Sequence, residues 1–337
     1  MGIKYLNSFL KTNCPESIKC INISEISGKK IAVDISIYMY KFISEDNLIE
    51  NIYLMLSIFR YYNVIPIFVF DGKPPTEKKE LLQKRKEDKI EAEKEYKRLK
   101  MRLESNNVED NEDMIEIISN MDILKKKFIY VSNDQINQVK TLIRSLGCTY
   151  YDAPGEADEL CAMLVMKQKV WACLSEDMDM FVYGCTRVLR YFSLLNHTMV
   201  LYNLKDILVE LGISQKEFRE ICVISGTDYN MNINALSGQI PGPNLHDTLK
   251  LFKKYHKKKD KSGQLTTDFY KWLITHSKYI HDYDLLQKTY NIFDLSSISN
   301  NSYFNLKNFE KIKIVNGQVM KNIMQPILED DGFIFAK

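Results

Sequence analysis

The stretch Val64-Ile65-Pro66-Ile67-Phe68-Val69-Phe70-Asp71-Gly72-Lys73-Pro74-Pro75 begins as an apolar run rich in β-branched and aromatic residues and ends on a carboxylate followed by loop residues. It reads as a buried strand that delivers an aspartate to its carboxyl end. The same pattern occurs upstream at Lys30-Ile31-Ala32-Val33-Asp34. Further runs stand at Lys127-Phe128-Ile129-Tyr130-Val131 and at Val170-Trp171-Ala172-Cys173-Leu174, the last followed by Ser175-Glu176-Asp177-Met178-Asp179. Stretches long enough for helices separate them. The expected fold is therefore α/β, a mostly parallel central sheet flanked by helices. In such sheets ligands gather outside the carboxyl ends of the strands, where Asp34, Asp71, Asp177 and Asp179 should meet.

Two more elements add carboxylates. Asp152-Ala153-Pro154-Gly155-Glu156-Ala157-Asp158 reads as a helix start, because proline and acidic side chains favour a first helical turn. Asp228, within Gly226-Thr227-Asp228-Tyr229, follows a helical stretch from Lys216 to Ile224. One strand-end aspartate is ordinarily a cap or a turn residue. Seven in one cleft, Asp34, Asp71, Glu156, Asp158, Asp177, Asp179 and Asp228, repel one another and stay ionised only if cations neutralise them. All-oxygen ligands with no His or Cys cluster point to Mg²⁺ or Mn²⁺ rather than zinc. Two such ions roughly 4 Å apart are suited to hydrolysis of a phosphodiester.

The 337 residues carry a net charge of only +2, with 45% hydrophobic and 27% charged residues, a composition that excludes disordered and collagen-like chains but sets no function. The charge is unevenly placed. A basic run extends from Lys73 to Arg102, and a second comprises Lys250, Lys253, Lys254, Lys257, Lys258, Lys259 and Lys261. Two separated clusters suit a polyanion held at two places. From Thr76 to about Glu104 there is neither Gly nor Pro, so a long exposed helix is expected, followed by a polar acidic tip and a return through residues 114–126. After strand-like segments at 187–191 and 199–202 the chain becomes mainly helical, then Asn- and Ser-rich from about Asn291.

Seven cysteines, an odd number with no C-x-x-C pair, argue against a disulfide framework or a zinc ribbon and for a reducing compartment. No apolar run approaches the roughly 20 residues of a membrane span, and the expectation is a soluble, intracellular monomer.

The residues quoted also carry a family resemblance. Met1-Gly2-Ile3, Val33-Asp34-Ile35-Ser36 with Tyr40 beyond it, Phe70-Asp71-Gly72-Lys73-Pro74-Pro75, Asp152 to Asp158, Glu176-Asp177-Met178-Asp179 and Gly226-Thr227-Asp228-Tyr229 are ordered as in the flap endonucleases, which this sequence resembles over about two thirds of its length. The resemblance implies a helical arch inserted in the sheet fold and a helix-two-turn-helix DNA-binding region. It divides the chain into 1–104 (nuclease region and start of the arch), 105–126 (arch tip and return), 127–260 (internal nuclease region) and 261–337 (carboxyl-terminal extension).

By resemblance, Asp34, Asp71, Glu156 and Asp158 serve one metal and Asp177, Asp179 and Asp228 the second, with sharing of Glu156 or Asp158, or their action through water, as the alternative, while Lys78 and Arg85 match the catalytic basic pair at the base of the arch. Gly2, Tyr40, Gly226 and Gly242, together with Glu156 and Asp228, are the implied DNA contacts, Tyr40 by stacking on a base, while Lys253 and Lys254 of the second basic run are expected to hold the duplex arm without reading its sequence. The segment 237–244 resembles the loop that grips duplex phosphates around a monovalent cation, although Pro241 and Asn244 replace the usual Gly and Lys. Asp158 replaces the commoner Glu, as in related repair exonucleases, and Asn47 and Met55 stand where the family often has Arg. For a sliding-clamp motif Gln325 and Leu328 are suitably spaced, but Phe333 and Phe335 come too late.

The function implied is a structure-specific 5′ flap endonuclease with 5′ to 3′ exonuclease activity, acting on branched DNA in replication and repair. The alternatives are a 5′ to 3′ repair exonuclease, a non-catalytic junction-binding scaffold, and a small-molecule phosphatase, which two basic clusters and a long arch do not suit. The abundance of Ile, Asn, Lys and Tyr suggests an AT-rich coding genome such as that of a large DNA virus or a protist, hence a nuclear location in a cell or a cytoplasmic replication site for a virus.

Overall fold

The structure, a computed structural model, describes residues 2–104, 111–229, 244–257, 268–277, 282–295 and 310–335. Seven strands form one sheet in the order β1-β7-β6-β5-β2-β3-β4, with β1 Ile18–Asn22, β2 Lys30–Asp34, β3 Ile65–Phe70, β4 Thr149–Asp152, β5 Ala172–Leu174, β6 Arg187–Ser193 and β7 Thr198–Asn203. β4, β3, β2, β5 and β6 run parallel, while β7 and β1 add an antiparallel edge. The sequence pattern omitted β1 and β4, which lie at the two sheet edges. Half-buried edge strands carry no continuous apolar run.

Side chains alternate across the sheet. Ala32, Ile67, Val69, Cys173 and Val188 face one hydrophobic layer, which the helices Leu6–Asn13, Ala157–Met166 and Gln215–Ser225 complete. Ile31, Val33, Phe68, Phe70, Ala172 and Leu174 face the other, covered by the helices Ile35–Ser44, Leu48–Tyr61 and Asn133–Ser145. Helices on both faces are what a sheet with two apolar faces requires. The carboxyl-terminal helix Lys321–Asp330 docks on the second layer, where Leu328 is fully buried, and Phe333 meets Tyr53 edge-on at 5.6 Å. Two of the hydrophobic residues considered for a clamp motif are thus occupied by the chain's own body.

The long basic segment forms the helix Lys79–Glu104, 26 residues or about 39 Å in length. Only Ala92 and Leu99 are buried along it, and it packs on the returning helix Asn111–Lys125. The tip, residues 105–110, lies outside the described residues. One expected strand is absent: residues 127–131 are irregular. Phe128 instead packs on Tyr96 at 5.4 Å, and the Ile129 carbonyl accepts from Lys89 Nζ at 2.7 Å, so the run seats the base of the long helix. The flank of β3 that it would have filled is taken by β4. No described helix is long and apolar enough to cross a membrane.

Candidate active site

The parallel register sets the site. Asp34 ends β2 opposite Val69 of β3, Val33 lies opposite Leu174 of β5, and Phe70 opposite Asp152 of β4. Asp34, Asp71 and the loop 175–179 therefore leave the sheet at one edge. Ser175 organises two of them, donating its hydroxyl to Asp34 Oδ2 at 3.0 Å while its Oγ accepts the Asp177 amide at 3.1 Å. Asp177 Oδ1 in turn accepts the Asp179 amide at 3.0 Å.

The helix Ala157–Met166 brings the next pair, with Glu156 at its N-cap and Asp158 in its first turn. Asp71 Oδ1 accepts the Ala157 amide at 2.8 Å, and the Gly72 amide donates to the Gly155 carbonyl at 2.7 Å, which binds the exit of β3 to this helix start. A Cβ on Gly72 would lie 1.9 Å from the Ala153 carbonyl oxygen, so only glycine permits that approach. Gly226, at φ +103°, ends the helix Gln215–Ser225 and turns the chain toward Asp228.

Basic residues close the other wall. Lys78 Nζ lies 2.7 Å from both Glu156 carboxylate oxygens and 4.6 Å from the centre of the Tyr229 ring. The Tyr229 hydroxyl donates to Glu156 Oε2. Arg85 donates to Asp228 Oδ2 at 2.7 Å. Lys78 and Arg85, at the base of the long helix, thus reach the same cleft.

The electrostatics are those of crowded, buried acids. Burial first, then Asp71 and Asp177, pushes the Asp34 carboxyl well above the usual range. Asp158 is pushed up by burial and by Glu156, with Lys78 opposing. Asp179, only 1% exposed, is pushed up by burial, Asp177 and Asp228. Burial pulls the Lys78 ammonium down, but Asp158 and Glu156 outweigh it and leave its pKa raised. Such a cluster is stable as carboxylates only beside further positive charge.

The residues fit divalent cations in donor chemistry. Every candidate ligand offers oxygen, and Asp179 Oδ1 is buried with no hydrogen-bond partner among the described residues. Next to it stands Gly2, at φ +79°, where a Cβ would fall 2.6 Å from Asp179 Oδ1 and 2.7 Å from Asp177 Oδ1. Among the described residues no three of these acids converge tightly enough to form a closed cation cage on their own. Open sites that share a cation with substrate oxygens are usual for Mg²⁺.

Tyr40 is 43% exposed, so its ring is open to a stacking partner, and Lys89 Nζ lies 5.0 Å from its ring centre. It lines a cavity with Asp71, Lys140 and Asp152. Lys253 and Lys254 are exposed on the helix Leu245–His256, which packs against Gln215–Ser225, the helix that leads to Asp228. Gly242 and positions 237–243 of the candidate cation loop lie outside the described residues, as do Lys258, Lys259 and Lys261. Asn244 caps the helix Leu245–His256 by accepting the Asp247 amide at 3.0 Å. Asn47 precedes the helix Leu48–Tyr61, and Met55 is fully buried within it.

Sequence reading missed Arg190. Its guanidinium donates to Asn7 Oδ1 at 2.8 Å and to the Glu176 carbonyl at 3.0 Å, and touches Met178 Sδ at 2.8 Å. It therefore ties the amino-terminal helix to the loop that carries Asp177 and Asp179. No local motif signals this, since its partners are scattered along the chain.

Comparison with known proteins bears on the family and the fold. Residues 1–92 match the XPG N-terminal domain and residues 147–228 the XPG I-region. Flap endonuclease 1 of Trypanosoma brucei brucei is 31% identical over 258 residues, covering 70% of this chain and 62% of that protein. Flap endonuclease 1 of Xenopus tropicalis is 31% identical over 254 residues, covering 70% and 63%. The chain thus spans less than two thirds of the length of these relatives. Among solved structures, the catalytic core of Rad2 in complex with DNA substrate superposes with a TM-score of 0.64 at 19% identity, covering 98% of this chain and 95% of that one. Flap endonuclease-1 from Methanococcus jannaschii gives 0.55 at 18% identity, covering 98% and 100%. These two share the fold.

Proposed function

The chain belongs to the flap endonuclease family, and we propose that it hydrolyses DNA phosphodiester bonds where a 5′ single strand meets duplex. The observation that carries the reading is the convergence of Asp34, Asp71, Glu156, Asp158, Asp177, Asp179 and Asp228 on one cleft whose opposite wall is Lys78 and Arg85. The Rad2 catalytic core of the same fold was solved with DNA substrate.

Nucleases of this family are metal-dependent, and the acids are assigned to two Mg²⁺ ions, for which Mn²⁺ can substitute: Asp34, Asp71, Glu156 and Asp158 on one side, Asp177, Asp179 and Asp228 on the other. Bound there, the ions supply Lewis acidity to water and to phosphate oxygens. The protein supplies position. Asp34 is held by Ser175, and Asp177 and Asp179 by the amide chain of their own loop. Lys78 and Arg85 stabilise negative charge developing on the phosphate; Arg85, 40% exposed, can exchange Asp228 for a phosphate oxygen. Tyr40 offers a ring for the terminal duplex base beside the cut, and Lys253 and Lys254 hold the duplex arm through its phosphates without reading sequence. The helix Lys79–Glu104 and its return partner stand over the site as the arch that admits the single strand.

The test is cleavage in Mg²⁺ of one labelled sequence presented as flapped duplex, blunt duplex and single strand. Preferential cutting of the flapped form is the expected result. Equal cutting of all three removes the junction specificity, and no metal-dependent cutting of any removes the nuclease reading.

A further inference from the structure

The implied stacking residue, Tyr40, lies on the β3/β4 side of the carboxylate row, with Phe70 and Asp152. On the other side, toward β6, a separate cavity of about 720 Å³ opens between the amino-terminal turn and the base of the long helix. Gly2, Lys4, Tyr5, Lys84, Arg85 and Asp228 are among its lining residues, so it shares Arg85 and Asp228 with the candidate active site. Tyr5 is 66% exposed, and Lys4 Nζ lies 5.2 Å from its ring centre. Its backbone is left-handed, at φ +67°, in a position that precedes the helix Leu6–Asn13. A bulky non-glycine residue held there carries backbone strain without burying its ring, so core packing does not account for it.

We propose that Tyr5 is a second stacking platform, which receives a base of the single-stranded DNA on the far side of the scissile phosphate from Tyr40. The inference rests on the nuclease reading above and assigns the path of the strand through that site. The strand runs from the Tyr40 side, across the acids and Arg85, into the cavity beside Tyr5. Lys4 and Lys84 meet its phosphates, and the exposed ring takes a base without regard to sequence, since every base has a π-face. Asp88 and Asp228 also line the cavity. A strand there is held by stacking as well as by charge, and the grip on it should resist salt better than a purely phosphate-bound arm.

The experiment compares equilibrium binding, in EDTA so that no strand is cut, of a labelled duplex carrying a 5′ flap and of the same duplex without one. Wild type, Tyr5→Phe and Tyr5→Gly are measured together with their melting temperatures. Tyr5→Gly should weaken flapped DNA roughly tenfold and leave flapless duplex unchanged, while Tyr5→Phe keeps both affinities. Tyr5→Gly should also melt no lower than wild type, because glycine relieves the left-handed strain, so misfolding cannot mimic the effect. Equal affinities of wild type and Tyr5→Gly for flapped DNA overturn the platform while leaving the nuclease reading intact, and so does an equal loss on both DNAs. Wild type that binds the two DNAs alike overturns the platform, and the cleavage assay above then judges the nuclease reading separately.

Discussion

Lys78 and Glu156 form an ion pair at 2.7 Å with both carboxylate oxygens, inside the cleft, where the lysine side chain is only 8% exposed. Helix start and arch base are joined at this contact. The pair is also where the competing demands of the site meet. Glu156 is a proposed metal ligand, and Lys78 offsets a surplus of acids that would otherwise oppose folding.

Lys78→Met should therefore affect both properties. On the proposed role of Lys78 at the phosphate, loss of the ammonium should lower single-turnover cleavage about 10²- to 10³-fold. It also leaves Glu156 and Asp158 facing each other with less compensation, so thermal stability should drop. Parallel rate and melting measurements check this; an unchanged cleavage rate would refute a role for Lys78 at the phosphate.

Gly2→Ala tests the steric cradle. The new methyl group would fall within 2.7 Å of oxygens of both Asp177 and Asp179, at a backbone φ of +79° that disfavours alanine. Displacement of these two proposed ligands by a fraction of an ångström should lower cleavage roughly 10²-fold, a far larger effect than the modest drop in melting temperature expected from the left-handed strain. Wild-type rates for this variant would show that the amino terminus is not packed on the reacting groups.

Glu220 gives a pH signature remote from the cleft. It is buried, and burial followed by Asp268 pushes its carboxyl up to about 8, with Lys216 opposing. The folded state thus retains a proton that the unfolded state has released. Stability contributed here is full below the ordinary carboxylate pKa and declines as pH rises through about 8. Glu220→Gln mimics the protonated acid, so its advantage in melting temperature should be negligible near pH 4 and should grow toward pH 8, reaching at least about 2 °C. Melting curves across that range decide it, and a gap independent of pH would contradict the assignment.

Much of this could be read from the sequence, for local reasons. β2, β3 and β5 are short apolar runs, and Asp34, Asp71 and Asp177 follow them directly, so a parallel arrangement places the acids together without knowledge of tertiary contacts. The long helix was legible because 26 residues lack any breaker. What failed depends on partners distant in sequence. Residues 127–131 have the composition of a strand but lose the β3 edge to Thr149–Asp152, a half-exposed segment with little strand signal. Arg190 looks like any strand residue until the fold sets it against Asn7, Glu176 and Met178. The bond from Tyr229 to Glu156 likewise spans 73 residues.

The most direct measurement is single-turnover cleavage in Mg²⁺ of a 5′-labelled double-flap DNA, with product lengths resolved, by wild type and by Asp179→Asn. Asparagine keeps the shape of the buried side chain but removes the charge of the oxygen left unpartnered among the described residues. Release of the intact flap by wild type, with at least about a 10³-fold loss in the variant, is the expected result for a structure-specific nuclease that depends on this carboxylate. Mononucleotide release by wild type would indicate an exonuclease instead, and near-normal cleavage by Asp179→Asn would contradict the assignment of the catalytic metal site.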